Sequence, residues 1–230
     1  DRQLQALTPK DADSLEEFRR VIGGGWDVLI GRDLGTTGTV ETENRSEAQR
    51  SGYREFTEII RNTTHGEELP GVVLLPDAWN QQVVIWLTDA GKSGLFKDTG
   101  APIPAVRKLI DSGCAVAGGD LLYQGEFLTD GQALTETRRV NNAREFLGYT
   151  IGYNHPLFAQ RVHDVLSVIS GAKNHPSMPT AIHLAGFGHA ALYAAAAAMQ
   201  AGDAVQKLAV DADGYRFATI TEIRDPMLLP

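Results

Sequence analysis

The sequence predicts an α/β fold, a three-layer α/β/α sandwich on a mostly parallel sheet with an antiparallel hairpin at its start. Three observations carry this. Residues 53–60 alternate apolar with polar side chains, and the apolar stretch 71–76 follows across a His65-Gly66 turn, as in two paired strands. Residues 83–87 and 114–117 are unbroken apolar runs, the pattern of strands covered on both faces. Stretches with helical spacing separate the later runs, so strands and helices alternate.

Taken in order, Ser14-Leu15-Glu16-Glu17 reads as a capping box, with Ser14 opening a short helix that Gly23-Gly24-Gly25 stops. Residues 32–52 are polar and rich in Thr, Gly and Glu, and read as a surface loop. Residues 1–52 are therefore expected to form a helix and polar loop extension, and 53–230 the α/β domain. Beyond the hairpin and the strand at 83–87, residues 104–112 read as a helix opened by Pro104 and stopped by Gly113. The buried strand at 114–117 ends in Gly118-Gly119-Asp120, and a polar loop spans 123–142. Residues 155–170 place Leu157, Phe158, Val162, Val165, Leu166 and Ile169 at helical intervals. A strand from Thr180, an alanine-rich helix and a last strand at 208–210, ending at Asp211 and Asp213, complete the pattern.

Composition narrows the function. A net charge of -8 argues against nucleic acid, whose phosphates need clustered Lys and Arg. No apolar run reaches the roughly 18 residues of a membrane span, so no membrane partner is expected and the chain reads as soluble. The single cysteine, Cys114, excludes an intrachain disulfide and a multi-cysteine metal site. The first residue is Asp1, which fits a bacterial chain secreted or periplasmic after loss of an N-terminal segment; the cytoplasm is the alternative. Asn44-Arg-Ser46 and Asn62-Thr-Thr64 match the N-glycosylation pattern, which short sequences meet often by chance.

The most informative stretch is Gly186-Phe187-Gly188-His189-Ala190, a Gly-rich corner between an apolar strand and the alanine-rich helix. It has the layout of a nucleophile elbow, G-x-S-x-G, with Gly188 in the serine position. Its backbone N–H groups open a helix and form a site for an anion or a carbonyl oxygen. His189 is the candidate base or donor beside the lost nucleophile. The plainer reading gives Gly188 a turn that needs positive φ, and His189 a local hydrogen bond.

Ligands in such sheets bind beyond the carboxyl ends of the strands. That adds Asp89, Asp120 and Tyr123 as candidate substrate-binding residues, although Asp at strand ends also serves turns and caps. No metal site is expected: His155 and His163 lie two helical turns apart, and nothing completes a ligand set. His183 reads as a sheet residue. Trp26, Trp79 and Trp86 could stack on sugars, but such residues are more often packing rings. No cofactor motif is present, since Gly23-Gly24-Gly25 does not follow a strand as a phosphate loop would.

With its elbow-like corner, the loop Thr88-Asp89-Ala90-Gly91-Lys92, the loop Gly119-Asp120-Leu-Leu-Tyr123-Gln-Gly125 and the helix start at 154–164, the chain resembles the α/β-hydrolase superfamily. Within it the similarity is to the acetylxylan-esterase-like branch related to dienelactone hydrolases, from about Tyr53 onward. The resemblance implies a serine, an orienting carboxylate and a histidine in that chain order. It places a second oxyanion donor at Ala90 and Gly91, and an alternative seat for the acid at Asp211 or Asp213. It also implies two more strand–helix units beyond Pro230, where the family's histidine would lie. Ser93 is a conceivable replacement nucleophile.

Three functions follow as expectations. The first is a carboxylic ester hydrolase of acetylxylan-esterase-like type, acting on an acylated carbohydrate or small ester through His189, Asp211 or Asp213. The second is a catalytically inactive pseudoenzyme with a degenerate triad, which binds a carbohydrate or acyl ligand. The third is an interaction protein that pairs through an exposed sheet edge, a homo-oligomer included.

Overall fold

The computed structural model describes residues 2–133 and 155–221. Seven strands form one mixed sheet: β1 (Val40–Arg50), β2 (Tyr53–Asn62), β3 (Glu67–Pro76), β4 (Gln82–Leu87), β5 (Ala115–Gly119), β6 (Ala181–Phe187) and β7 (Lys207–Asp211). Their order is β1-β2-β3-β5-β4-β6-β7. The first three are antiparallel and β3 is antiparallel to β5, whereas β5, β4, β6 and β7 run parallel. The helices are α1 (Arg2–Ala6), α2 (Ala12–Phe18), α3 (Gly24–Ile30), α4 (Pro104–Asp111), α5 (Leu157–Lys173) and α6 (Ala190–Ala201).

The three layers follow from which faces are apolar. On one face α4 buries Val106 and Ile110 against Tyr53, Leu74, Val84 and Val116. On the other, α5 and α6 bury Val162, Leu166, Tyr193 and Ala197 against Ile85, Leu87 and Leu184. The alanines of α6 let it lie close to β6. A Cβ at Gly186 would come within 2.7 Å of the Ala194 Cβ, so this glycine is required by the contact itself.

Two local expectations need correction. The N-cap of α2 is Asp11, three residues before Ser14. The Asp11 carboxylate accepts the Ser14 N–H at 2.8 Å, and Ser14 Oγ accepts the Asp11 N–H at 3.0 Å. Gly23-Gly24-Gly25 does not stop the helix either. The chain passes through a π-helical turn (Arg19–Gly23) into α3, which ends at Gly31 with φ +70°. Packing overrides glycine's weak helix propensity there, since Ile30 is fully buried and Trp26 stacks on Phe158 at 5.9 Å.

The polar segment 32–52 is likewise not all loop, because it carries β1. Both faces of this strand are largely exposed, so it shows no apolar alternation. Cross-strand ion pairs, Glu43 with Arg61 and Glu47 with Arg54, accompany its ladder to β2. The hairpin expected at 53–76 is thus the second half of a three-stranded meander. Residues 134–142 of the expected polar loop and Asn154 lie outside the described residues.

Candidate functional site

Strand register builds the site. Leu87 of β4 pairs with Gly186 of β6, so Asp89 and Gly188, each two residues further on, leave the sheet side by side. Phe187 pairs with Asp211, which brings the end of β7 to the same place. The β4–β5 pairing sets Asp120 on the opposite flank.

The corner 186–190 is a strand-to-helix turn with Gly188 at φ +66°, as the elbow reading requires. The Gly188 N–H donates to the Asp211 carbonyl at 2.8 Å. The next two N–H groups, of His189 and Ala190, donate to Asp89 Oδ2 at 3.1 Å and Oδ1 at 3.0 Å. One carboxylate therefore sits across the first N–H groups of α6, where the helix end favours negative charge. His189 Nδ1 lies 3.3 Å from the same Asp89 Oδ2, and Tyr215 meets the imidazole edge-on at 4.6 Å between ring centroids. A Cβ on Gly188 would collide with the Asp89 carboxylate.

Asp89, Gly188 and His189 are thus brought together. Asp211 and Asp213 lie at the same corner, but the Asp211 carboxylate accepts the Asp213 N–H at 3.0 Å in a local turn. Among the described residues no hydrogen bond or ion pair joins either of these carboxylates to His189. The Gly91 N–H donates to the Thr88 carbonyl at 3.1 Å. Ser93 Oγ donates to the Ala90 carbonyl at 2.7 Å, so that hydroxyl is engaged in its own turn.

Asp120 is buried and does a different job. It accepts the N–H groups of Lys92 (2.9 Å) and Glu126 (3.0 Å) and pairs with Lys92 Nζ, tying the loops after β4 and β5 together. The approach is so close that a Cβ on either Gly91 or Gly125 would strike this carboxylate.

Two residues that sequence reasoning passed over fix the next loop. Arg161 of α5 donates to the carbonyls of Leu122 (2.9 Å) and Tyr123 (3.3 Å), and to the Tyr193 hydroxyl at 2.7 Å. Asp164, one turn on, accepts the Leu122 N–H at 2.7 Å. Burial raises the Asp164 pKa to about 7, against the pull of that N–H. Buried charged residues on a helix otherwise read as core were the available signal.

Elsewhere His163 and His183 are engaged within the fold. His163 Nε2 donates to the Ile30 carbonyl at 2.6 Å, and burial lowers its pKa to about 4. It meets His155 edge-on at 5.0 Å. His183 contacts Gln82 Oε1 at 3.2 Å. Trp86 packs on Phe187 at 4.5 Å, and the Trp79 indole N–H donates to the Gln82 carbonyl at 2.8 Å. Among the described residues no cluster of three or more His, Cys, Asp or Glu could hold a metal ion.

No family model matches the chain, and no curated protein does. Solved structures do. A protein described as an acetyl xylan esterase from Bacteroides fragilis superposes with a TM-score of 0.64 at 11% identity, over 85% of this chain and 53% of its own. Acetyl xylan esterase 1 from Thermoanaerobacterium gives 0.52 at 15% identity, over 80% and 55%. The acetyl xylan esterase from Paenibacillus sp. R4 gives 0.54 at 14%, over 90% and 62%. The chain spans about half the length of the first two structures.

Proposed function

Taking the α/β-hydrolase fold of this chain as the premise, we propose that it recognises a neutral carboxylic ester, on an acylated carbohydrate or small molecule, without forming an acyl-enzyme. One observation carries the reading. The elbow has glycine where the fold seats a nucleophile, and the Asp89 carboxylate already holds the N–H groups of His189 and Ala190. Ester cleavage through a tetrahedral intermediate needs such donors free for a developing oxyanion. Here a fixed negative charge lies on them, so charge building up beside Asp89 is opposed. The ester class comes by analogy from the acetyl xylan esterases of like fold. Asp89 supports a neutral ester over its free acid, because a carboxylate product would face a like charge.

A second reading rests on the Asp89–His189 contact of 3.3 Å, a carboxylate beside an imidazole at the mouth of the site. In that arrangement His189 takes a proton from water and Asp89 stabilises the imidazolium, so water is the nucleophile.

Acetylated xylo-oligosaccharide, its deacetylated form and free acetate should be titrated into the chain by calorimetry, with p-nitrophenyl acetate turnover followed alongside. The binding reading expects the acetylated form to bind better than the other two, and turnover no faster than with denatured chain. Turnover abolished by His189→Ala establishes the second reading instead. Neither binding nor turnover overturns both.

A further inference from the structure

The sheet face covered by α5 is left open beside β1, β2 and β3, toward the amino ends of the parallel strands. A cavity of about 560 Å³ lies there, and it shares no residue with the elbow. Its concavity comes from small residues: Gly71, Ala115 and Ala117 on the sheet and Gly171 on α5, with Phe56 and Trp79 among its larger walls. The size is that of a small-molecule site, roughly 300–1,000 Å³.

Glu58 borders this cavity from β2, opposite Gly71 on β3 and Asn44 on β1. Glycine leaves nothing to cover it. Several acids on these strands have cationic partners: Glu43 and Glu68 pair with Arg61, Glu47 with Arg54, Glu55 with Arg50 and Glu67 with Arg32. Among the described residues the Glu58 carboxylate makes no hydrogen bond or ion pair, and burial raises its pKa to about 7. A half-buried acid without a partner is costly once ionised, and a cation brought in with apolar surface would remove that cost. Arg54 also lines the cavity, but it is committed to Glu47 and lies over the Phe56 ring at 5.2 Å.

We propose that this cavity binds a small organic amine, its apolar body on the glycine–alanine floor and its ammonium paired with the Glu58 carboxylate. The site is independent of the elbow reading. The other charged or titratable groups lining it are Glu41, Arg54 and His175, the last on the loop after α5. Pairing requires ionised Glu58, so affinity for the amine weakens as pH falls below about 7.

The test uses 2-phenylethylamine as the probe and 2-phenylethanol as its neutral counterpart, both titrated into the chain at pH 8 by calorimetry and amide NMR. Sedimentation velocity reports association. The amine should bind about tenfold more tightly than the alcohol, equivalent to ~1.4 kcal/mol. Amide shifts should fall on residues 56–60, 71–75 and 168–172. Glu58→Gln should erase the preference while the alcohol still binds. Gly71→Val should abolish both, and the strand should accommodate it, since the first added carbon makes only ordinary contacts, with Ile60 Cδ1 at 3.4 Å and the Gly118 carbonyl oxygen at 3.6 Å. Equal affinity for amine and alcohol, binding of neither, or a dimer that shields this face would each overturn the proposal.

Discussion

Asp89 caps α6 from the loop after β4, so Asp89→Ala should cost about 1 kcal/mol, as loss of an N-cap does. Gly188→Ala should cost about 1–2 kcal/mol from the left-handed backbone alone, plus the collision with Asp89. In the double variant the collision is gone, so urea denaturation should show a loss smaller than the sum by roughly 0.5 kcal/mol or more. Additive losses would mean that the two residues do not meet. The glycine was legible in the sequence because the corner needs positive φ. Its partner was not, because the meeting depends on β4–β6 register, which joins residues one hundred positions apart. The pairing of His189 with Asp89, in place of the later aspartates, escaped for the same reason.

At the scale of elements, what the sequence revealed tracks how burial is written into it. Strands β4, β5 and β6 are covered on both faces and stand out as apolar runs. Strand β1 is exposed on both faces and held by its ladder and ion pairs, which leave no hydrophobic period. The glycine triplet misled for a different reason, since its residues are helical and their fit is set by Trp26 and Ile30 nearby. That yields a clean test. Gly24 has φ -59°, and an added Cβ there would meet nothing within 4 Å. Gly24→Ala should therefore stabilise the chain by about 0.5–1 kcal/mol, read as a higher urea midpoint. A lower midpoint would show that the helix through 19–30 is not formed as described.

For the whole molecule, buried ionisable groups set the response to pH. Glu58 and Asp164, both raised to about 7, keep protons in the folded chain that the unfolded chain has released, so stability rises as pH falls toward 4.5. His163, lowered to about 4, acts in the opposite sense: below 6.5 the unfolded chain binds a proton that the folded chain refuses. Two groups outweigh one between those limits. At lower pH Asp11 and Asp33, held down by hydrogen bonds from Ser14 and Thr36, begin to lose their stabilisation. Thermal unfolding followed by circular dichroism should give the highest Tm near pH ~5 and a lower one at pH ~8. Glu58→Gln should raise Tm at pH ~8 and leave it nearly unchanged at pH ~4. A Tm that climbs steadily from acid to alkaline pH would contradict this balance.

The knot at Asp120 bears on how this chain can vary. Gly91, Asp120 and Gly125 come from two loops, yet each glycine has lost its side chain's room to one and the same buried carboxylate. Replacing either glycine alone runs into the acid, and replacing the acid alone strands the two amides and the lysine that it gathers. Only concerted change leaves the loops joined, so related sequences should inherit these three positions as one character.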